Sequence, residues 1–236
     1  MARFTYEQFT NFCEQIDLES YRQKYSRIKT VEMDLPRSIQ ALDTIYENYW
    51  DNVNNLANPP TFEEYYKLYY ERHREQIEAF WRTTGFCTDC NCFPNGLQAR
   101  IYRTWASLIT QIHAGYVAEL VFGVGNVKMS TDLDHQGIDI LAIHNGTEIK
   151  IQVKKDTQRR EIARMDRASK GEIVDIYYVV PIDYDNPYYT RKSMAGQLRP
   201  WANEFVQFNP NGTMDRLSNG FVVFVPKVFE DIIAQN

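Results

Sequence analysis

Apolar positions along the chain change period from a helical recurrence in the first half to alternation in the middle. Phe4, Phe9, Phe12, Ile16, Tyr21 and Tyr25 recur at helical spacing, with a restart signal from Asp17 to Ser20. Asn58, Pro59 and Pro60 break the pattern. Thr61 and Glu64 then form a capping box that opens a helix running from Tyr65 to Trp81 and ending by Gly85. A cysteine-rich loop containing Pro94, Asn95 and Gly96 follows. Residues 97–122 form the next long helical stretch, with Ile101, Trp105, Leu108, Ile112 and Leu120 on its apolar positions.

Beyond that helix the period shortens to two. Residues 126–130 count as a first strand, residues 137–143 have strand-like β-branched content, and residues 147–154 alternate apolar with polar. The turn signal His144-Asn-Gly146 joins the last two into a β-hairpin. In its second strand Ile149, Ile151 and Val153 share one face, so Lys150, Gln152 and Lys154 share the other. Residues 158–169 are predicted as a basic helix, 173–180 as a buried strand ending at Pro181, 220–226 as a further strand and 227–234 as a short closing helix. Residues 187–208 are aromatic and mixed, without a clear period. The order helix, strand, strand, strand, helix, strand predicts an α/β sandwich with a mixed central sheet flanked by helices.

The hairpin also carries the candidate chemistry. Gln152 and Lys154 are placed to flank Asp139 across the ladder, and Glu119, near the end of the preceding helix, can aim a carboxylate at the sheet. Asp134 is a second candidate acid. Taken singly, each of these residues is an ordinary solvated charge. Together they form the constellation that phosphodiester hydrolysis needs. A hard cation is held by one or two carboxylates, and a basic side chain stands beside the attacked phosphate.

Composition narrows the class. At 236 residues, with 16 Tyr, 13 Phe and an ordinary apolar fraction, the chain can bury a sizeable core. The first residues have no apolar h-region, and no segment approaches eighteen uninterrupted apolar residues, so secretion and membrane spanning are disfavoured and a bacterial cytoplasmic location is expected. A net charge of −5 argues against a general nucleic-acid coat. Yet residues 154–170 hold seven basic residues against three acidic ones, a local balance of +4 on which a phosphate backbone can dock. Tyr184 to Tyr189, with Arg191 and Lys192, form a further candidate DNA contact, although packed or simply exposed tyrosines explain them as well. Cys87, Cys90 and Cys92, completed by Cys13 or His113, have part of a zinc-ligand spacing. A second Cys-x-x-Cys or a His pair is missing, so reduced thiols are the expectation and two disulfides the alternative.

The Asp139-to-Lys154 pattern resembles the PD-(D/E)xK nuclease superfamily, with Gln152 at the position where that superfamily carries an acid. The chain resembles more closely the TaqI family of type II restriction endonucleases. That resemblance is carried by Asp17-Leu-Glu-Ser-Tyr21, Lys24-Tyr25, Ile28-Lys-Thr-Val-Glu32, Asp34-Leu-Pro-Arg37, Ala79-Phe-Trp-Arg82, Thr84-Gly-Phe86, Ala99-Arg-Ile-Tyr-Arg-Thr-Trp105 and Gln111-Ile-His113. It continues through Leu133-Asp134, Gly137, Asp139 and Ile151-Gln-Val-Lys-Lys155, and so spans roughly the first two thirds of the chain.

The resemblance implies a magnesium-dependent enzyme cutting double-stranded DNA at a short palindrome, TCGA for the family's namesake. The order of elements divides the chain into an N-terminal helical region with the cysteine-containing loop at 1–96 and a PD-(D/E)xK-like nuclease core with C-terminal DNA-contacting elements at 97–236. The family's catalytic set matches Asp134, Asp139 and a lysine of the Lys154-Lys155 pair. Strand alternation favours Lys154, and a bulge at the strand end would favour Lys155 instead. Asp139, Asp134, Glu119 and the carbonyl of Val153 are the candidate metal ligands. Arg159, Arg160, Arg164 and Arg191 are available for base readout, in no ranked order. A palindromic target favours a two-fold homodimer, and a restriction enzyme implies a cognate DNA methyltransferase. Two competing readings remain, a structure-selective repair or recombination nuclease on the same fold and a non-catalytic DNA-binding protein.

Overall fold

The computed structural model describes residues 3–25, 49–50, 58–83, 91–155, 173–178 and 211–235. Helix α1 (Tyr6–Glu14) opens on a capping box. Gln8 N–H donates to Thr5 Oγ1 at 3.3 Å, and Thr5 N–H donates to Gln8 Oε1 at 2.9 Å. Asp17 then accepts from Ser20 N–H at 2.9 Å and restarts the chain as α2 (Leu18–Tyr25), as the sequence predicts. The Thr61–Glu64 capping box is present at the head of α3 (Phe62–Thr83), with contacts of 2.9 and 3.3 Å.

Helix α4 (Cys92–Phe122) begins earlier than expected and runs straight through Pro94, Asn95 and Gly96. Pro94 sits in the first turn, where a backbone N–H has no intrahelical partner to lose, so its ring is tolerated. Asn95 N–H already donates to Asn91 at 3.0 Å. The helix therefore crosses the expected boundary between residues 96 and 97 without a break. Every residue from Ile112 to Glu119 is buried, so this half of α4 is enclosed on all sides rather than amphipathic. It packs against α1, α3, the strands β1 to β3 and the C-terminal elements β6 and α6 introduced below.

The sheet has the order β1-β2-β3-β4, from β1 (Val127–Lys128), β2 (Ile140–His144), β3 (Thr147–Lys155) and β4 (Ile173–Tyr178). The first three strands pair antiparallel and β4 joins β3 in parallel, giving a mixed α/β architecture. Asn145 and Gly146 have φ of 51° and 80°, the left-handed pair that a two-residue hairpin turn requires, and they set His144 opposite Thr147. Ile140 then meets Ile151 and Ala142 meets Ile149 on the buried face.

Strand β4 is only half buried. Ile176 and Tyr178 are enclosed while Ile173 is exposed, because one of its faces is polar rather than covered. A pairing of β5 (Met214–Arg216) with β6 (Val222–Phe224) goes beyond the sequence expectation, since Met214-Asp-Arg216 has no apolar alternation to announce it. Helix α6 (Lys227–Gln235) closes the chain as expected. Among the described residues no helix is long and apolar enough to cross a membrane. The expected basic helix at 158–169 and the aromatic stretch at 184–189 lie outside the described residues.

Candidate active site

A short helix, α5 (Thr131–His135), brings two acids together. Ser130 caps it, its Oγ accepting from Leu133 N–H at 3.3 Å. It ends in a Schellman turn, with Gly137 N–H donating to Asp134 at 2.8 Å and Ile138 N–H to Leu133 at 2.9 Å. Gly137 takes the φ of 78° that this turn needs. The reversal folds Asp139 back beside Asp134, and the two carboxyl groups share a hydrogen bond.

Asp139 stands where the chain enters the sheet. Its N–H donates to the Ile151 carbonyl at 3.0 Å, the last backbone contact on that side. The backbone before it has already turned away, so the N–H of Val153 donates to Asp139 Oδ2, at 2.6 Å, instead of to a strand carbonyl. Gln111 of α4 donates to the other oxygen at a long 3.4 Å. With 5% of its surface exposed, Asp139 is one of the few buried charged residues described. Burial pushes its carboxyl up to about 7, reinforced by the charge and hydrogen bond of Asp134 and opposed by the Val153 N–H and the nearby Lys154 ammonium.

Lys154 projects from the polar face of β3. The ladder to β4 is continuous from Lys150 opposite Ile173 to Lys155 opposite Tyr178, with no bulge to reverse the alternation. Its Nζ donates to Asp175 Oδ2 at 2.6 Å, and its charge is felt at Asp139. Gln152 lies on the same face, its Nε2 3.7 Å from where a side chain on Gly137 would begin. In an extended strand the N–H and C=O of one residue point the same way, so the carbonyl of Val153 also faces the Asp139 side. Asp134, Asp139, Gln152, Val153 and Lys154 thus converge.

Glu119 does not join them. Its Oε1 is paired with Arg3 at 2.5 Å, and the Arg3 guanidinium lies 3.8 Å over the Trp50 ring. The α4 residue at Asp139 is Gln111, which stands eight residues, about 12 Å of helix, away from Glu119. Amphipathic reasoning pointed Glu119 at the sheet, but a helix buried on all faces has no single inward direction. Arg159, Arg160, Arg164 and Arg191 lie outside the described residues.

Oxygen donors suit a hard cation, and the buried Asp139 carboxyl hydrogen-bonded to the half-buried Asp134 is a natural position for one. Among the described residues no three His, Cys, Asp or Glu side chains cluster as ligands, so a cation here could draw at most two carboxylates and a backbone carbonyl from this corner. A short set of this kind is chemically compatible with a hard divalent ion that keeps water among its ligands.

The cysteines give a different result from the expected reduced thiols. Cys92 is disulfide-bonded, its partner lying outside the described residues. Cys13 is free and buried, and burial pushes its thiol far above the usual range. His113 cannot share a zinc ion with Cys92, since the two stand about 30 Å apart on one helix. It sits instead among Tyr6, Phe9 and Thr10, held neutral by burial with its value lowered to about 3.

Sequence reasoning missed Asp175, Tyr177 and Gln111. For Asp175 a signal was available, since an acid inside an apolar strand is uncommon and marks a face with work to do. Gln111 carried no signal beyond its place in the family-like stretch.

Comparison with known proteins agrees with the resemblance read from the motifs. The profile of the TaqI restriction endonuclease family matches residues 6–235. The chain is 33% identical over 229 residues to the type II restriction enzyme TaqI of Thermus aquaticus, covering 94% of this chain and 84% of that one. It is 32% identical over 233 residues to the type II restriction enzyme TthHB8I of Thermus thermophilus, covering 98% and 88%. No solved structure gives a significant match.

Proposed function

Since the chain belongs to the TaqI restriction endonuclease family and is a type II restriction endonuclease, we propose that it hydrolyses both strands of duplex DNA at the palindrome TCGA with magnesium. The observation that carries this reading is the buried Asp139 carboxyl, hydrogen-bonded to Asp134 and within the field of Lys154. Asp134, Asp139 and the Val153 carbonyl would hold magnesium. The bound ion supplies the charge that polarises the scissile phosphate and acidifies an attacking water.

The chain's own residues do the rest. Val153 N–H and Gln111 fix the orientation of Asp139 through its two oxygens. Lys154 places a positive charge beside the attacked phosphate and orients the water. Gln152 offers a neutral carbonyl oxygen where the PD-(D/E)xK superfamily carries an acid, which leaves Asp134 to provide the second negative charge. Lys155 ends the same unbulged strand one register position further on, opposite Tyr178, and is assigned no step.

Base readout falls to Arg159, Arg160, Arg164 and Arg191, and a homodimer would address the two strands of the palindrome. A methyltransferase of the same specificity would protect host DNA.

Plasmid DNA incubated with the protein and magnesium should resolve into discrete bands that disappear when the TCGA sites are methylated. Replacing Lys154 with Ala should reduce cleavage at least about 10³-fold while sequence-specific binding persists. Random degradation, preference for branched DNA, or binding without cleavage would each defeat the proposal.

A further inference from the structure

Asp175 has no part in the chemistry described so far, yet it grips the lysine on which that chemistry turns. Lys154 Nζ donates to its Oδ2 at 2.6 Å, and the Tyr177 hydroxyl donates to the same oxygen at 3.1 Å. The parallel register explains the meeting. Gln152 stands opposite Asp175 and Lys154 opposite Tyr177, so these four side chains cover one polar face of β3 and β4.

The Lys154 and Asp175 side chains keep 18% and 29% of their surface exposed, sheltered from full screening but open to a ligand arriving from solvent. A partly exposed ion pair of this kind contributes only modestly to folding. A lysine ammonium on four rotatable bonds otherwise sweeps a wide volume, and a reacting group must be held within a fraction of an ångström. Asp175 restricts that sweep from one strand away, and Tyr177 fixes the carboxylate by occupying the same oxygen.

We propose that Asp175 is a positioning residue for DNA cleavage, holding the Lys154 ammonium over the Asp139 end of the hairpin, with Tyr177 setting the carboxylate's orientation. The inference rests on Lys154 being the lysine that acts in cleavage.

The test is steady-state cleavage of a TCGA duplex by the full chain and by Asp175→Asn, Asp175→Glu, Tyr177→Phe and Lys154→Ala, at several magnesium concentrations. Asp175→Asn should lower kcat about 10–100-fold while KM for the duplex stays within about twofold. Its half-activating magnesium concentration should not move, and Asp175→Glu should recover most of the loss. Tyr177→Phe, which keeps the ring, should lower kcat about 3–10-fold and decides the matter if Asp175→Asn folds poorly by circular dichroism.

Wild-type kcat in both Asp175→Asn and Tyr177→Phe, beside an inactive Lys154→Ala, overturns the proposal alone. A defect in Asp175→Asn that added magnesium repairs also overturns it, because Asp175 would then be a metal ligand. Wild-type turnover in Lys154→Ala removes the underlying reading, and the proposal with it.

Discussion

Asp139 is a carboxyl group whose folded environment favours the proton. Its value is raised from 3.8 to about 7 by burial first and by Asp134 next. Between those values the folded protein keeps a proton that the unfolded chain releases, so stability falls as pH rises through that window. Without metal the loss reaches roughly 4 kcal/mol at most by pH 8. A divalent cation that takes the proton's place reverses it. Thermal unfolding in a chelator should therefore show a melting temperature that declines from pH 5 to pH 8, and magnesium should raise it far more at pH 8 than at pH 5. Asp139→Asn should flatten both responses. A metal-free melting temperature independent of pH over that range would mean that the two acids do not share a proton.

Helices and strands place these side chains through a few close contacts. Gly115, in the enclosed half of α4, is one. A methyl group there would lie 2.8 Å from the Trp50 ring and closer still to the Met129 sulfur. Alanine favours a helix by about 1 kcal/mol over glycine, but overpacking costs about 1–3 kcal/mol. Met129 can bend away, whereas Trp50 is packed against both the Arg3 guanidinium at 3.8 Å and the Tyr116 ring at 5.3 Å. Gly115→Ala should on balance destabilise, lowering the melting temperature by about 2–8 °C. It should also slow cleavage, because Met129 directly precedes the Ser130 cap of the helix that carries Asp134. An equally stable variant would show that the packing of Gly115 against Trp50 and Met129 has slack.

For the molecule as a whole the question is how a chain of net charge −5 holds a polyanion. The local balance of +4 over residues 154–170 begins at the end of the hairpin in sequence, so on the proposed reading DNA binding there would bring the scissile phosphate towards Asp139 and Lys154. Replacing Arg159, Arg160 and Arg164 together with Ala should weaken duplex binding and reduce the slope of log affinity against log salt by about 2–3. A slope that does not change would move the phosphate contacts elsewhere on the chain.

Much of this was open to inspection in the residue pattern, for a local reason. The hairpin needed only Asn145 and Gly146 for its turn and period-two alternation for its faces, and the capped helix starts at Thr61 and Asp17 needed only their own first turns. The same alternation set Lys154 beside Gln152. Contacts between segments distant in sequence were not readable there. Glu119 went to Arg3, 116 residues away, and Gln111 took the place beside Asp139 that Glu119 had been expected to fill. Asp175 reached Lys154 only because β4 returns in parallel, and Met214-Asp-Arg216 became a strand only because β6 offered it an edge. Propensity and period act over a few residues and are written into them. Which buried polar group meets which is settled when the elements pack, since each must then find its partner or remain unpaired.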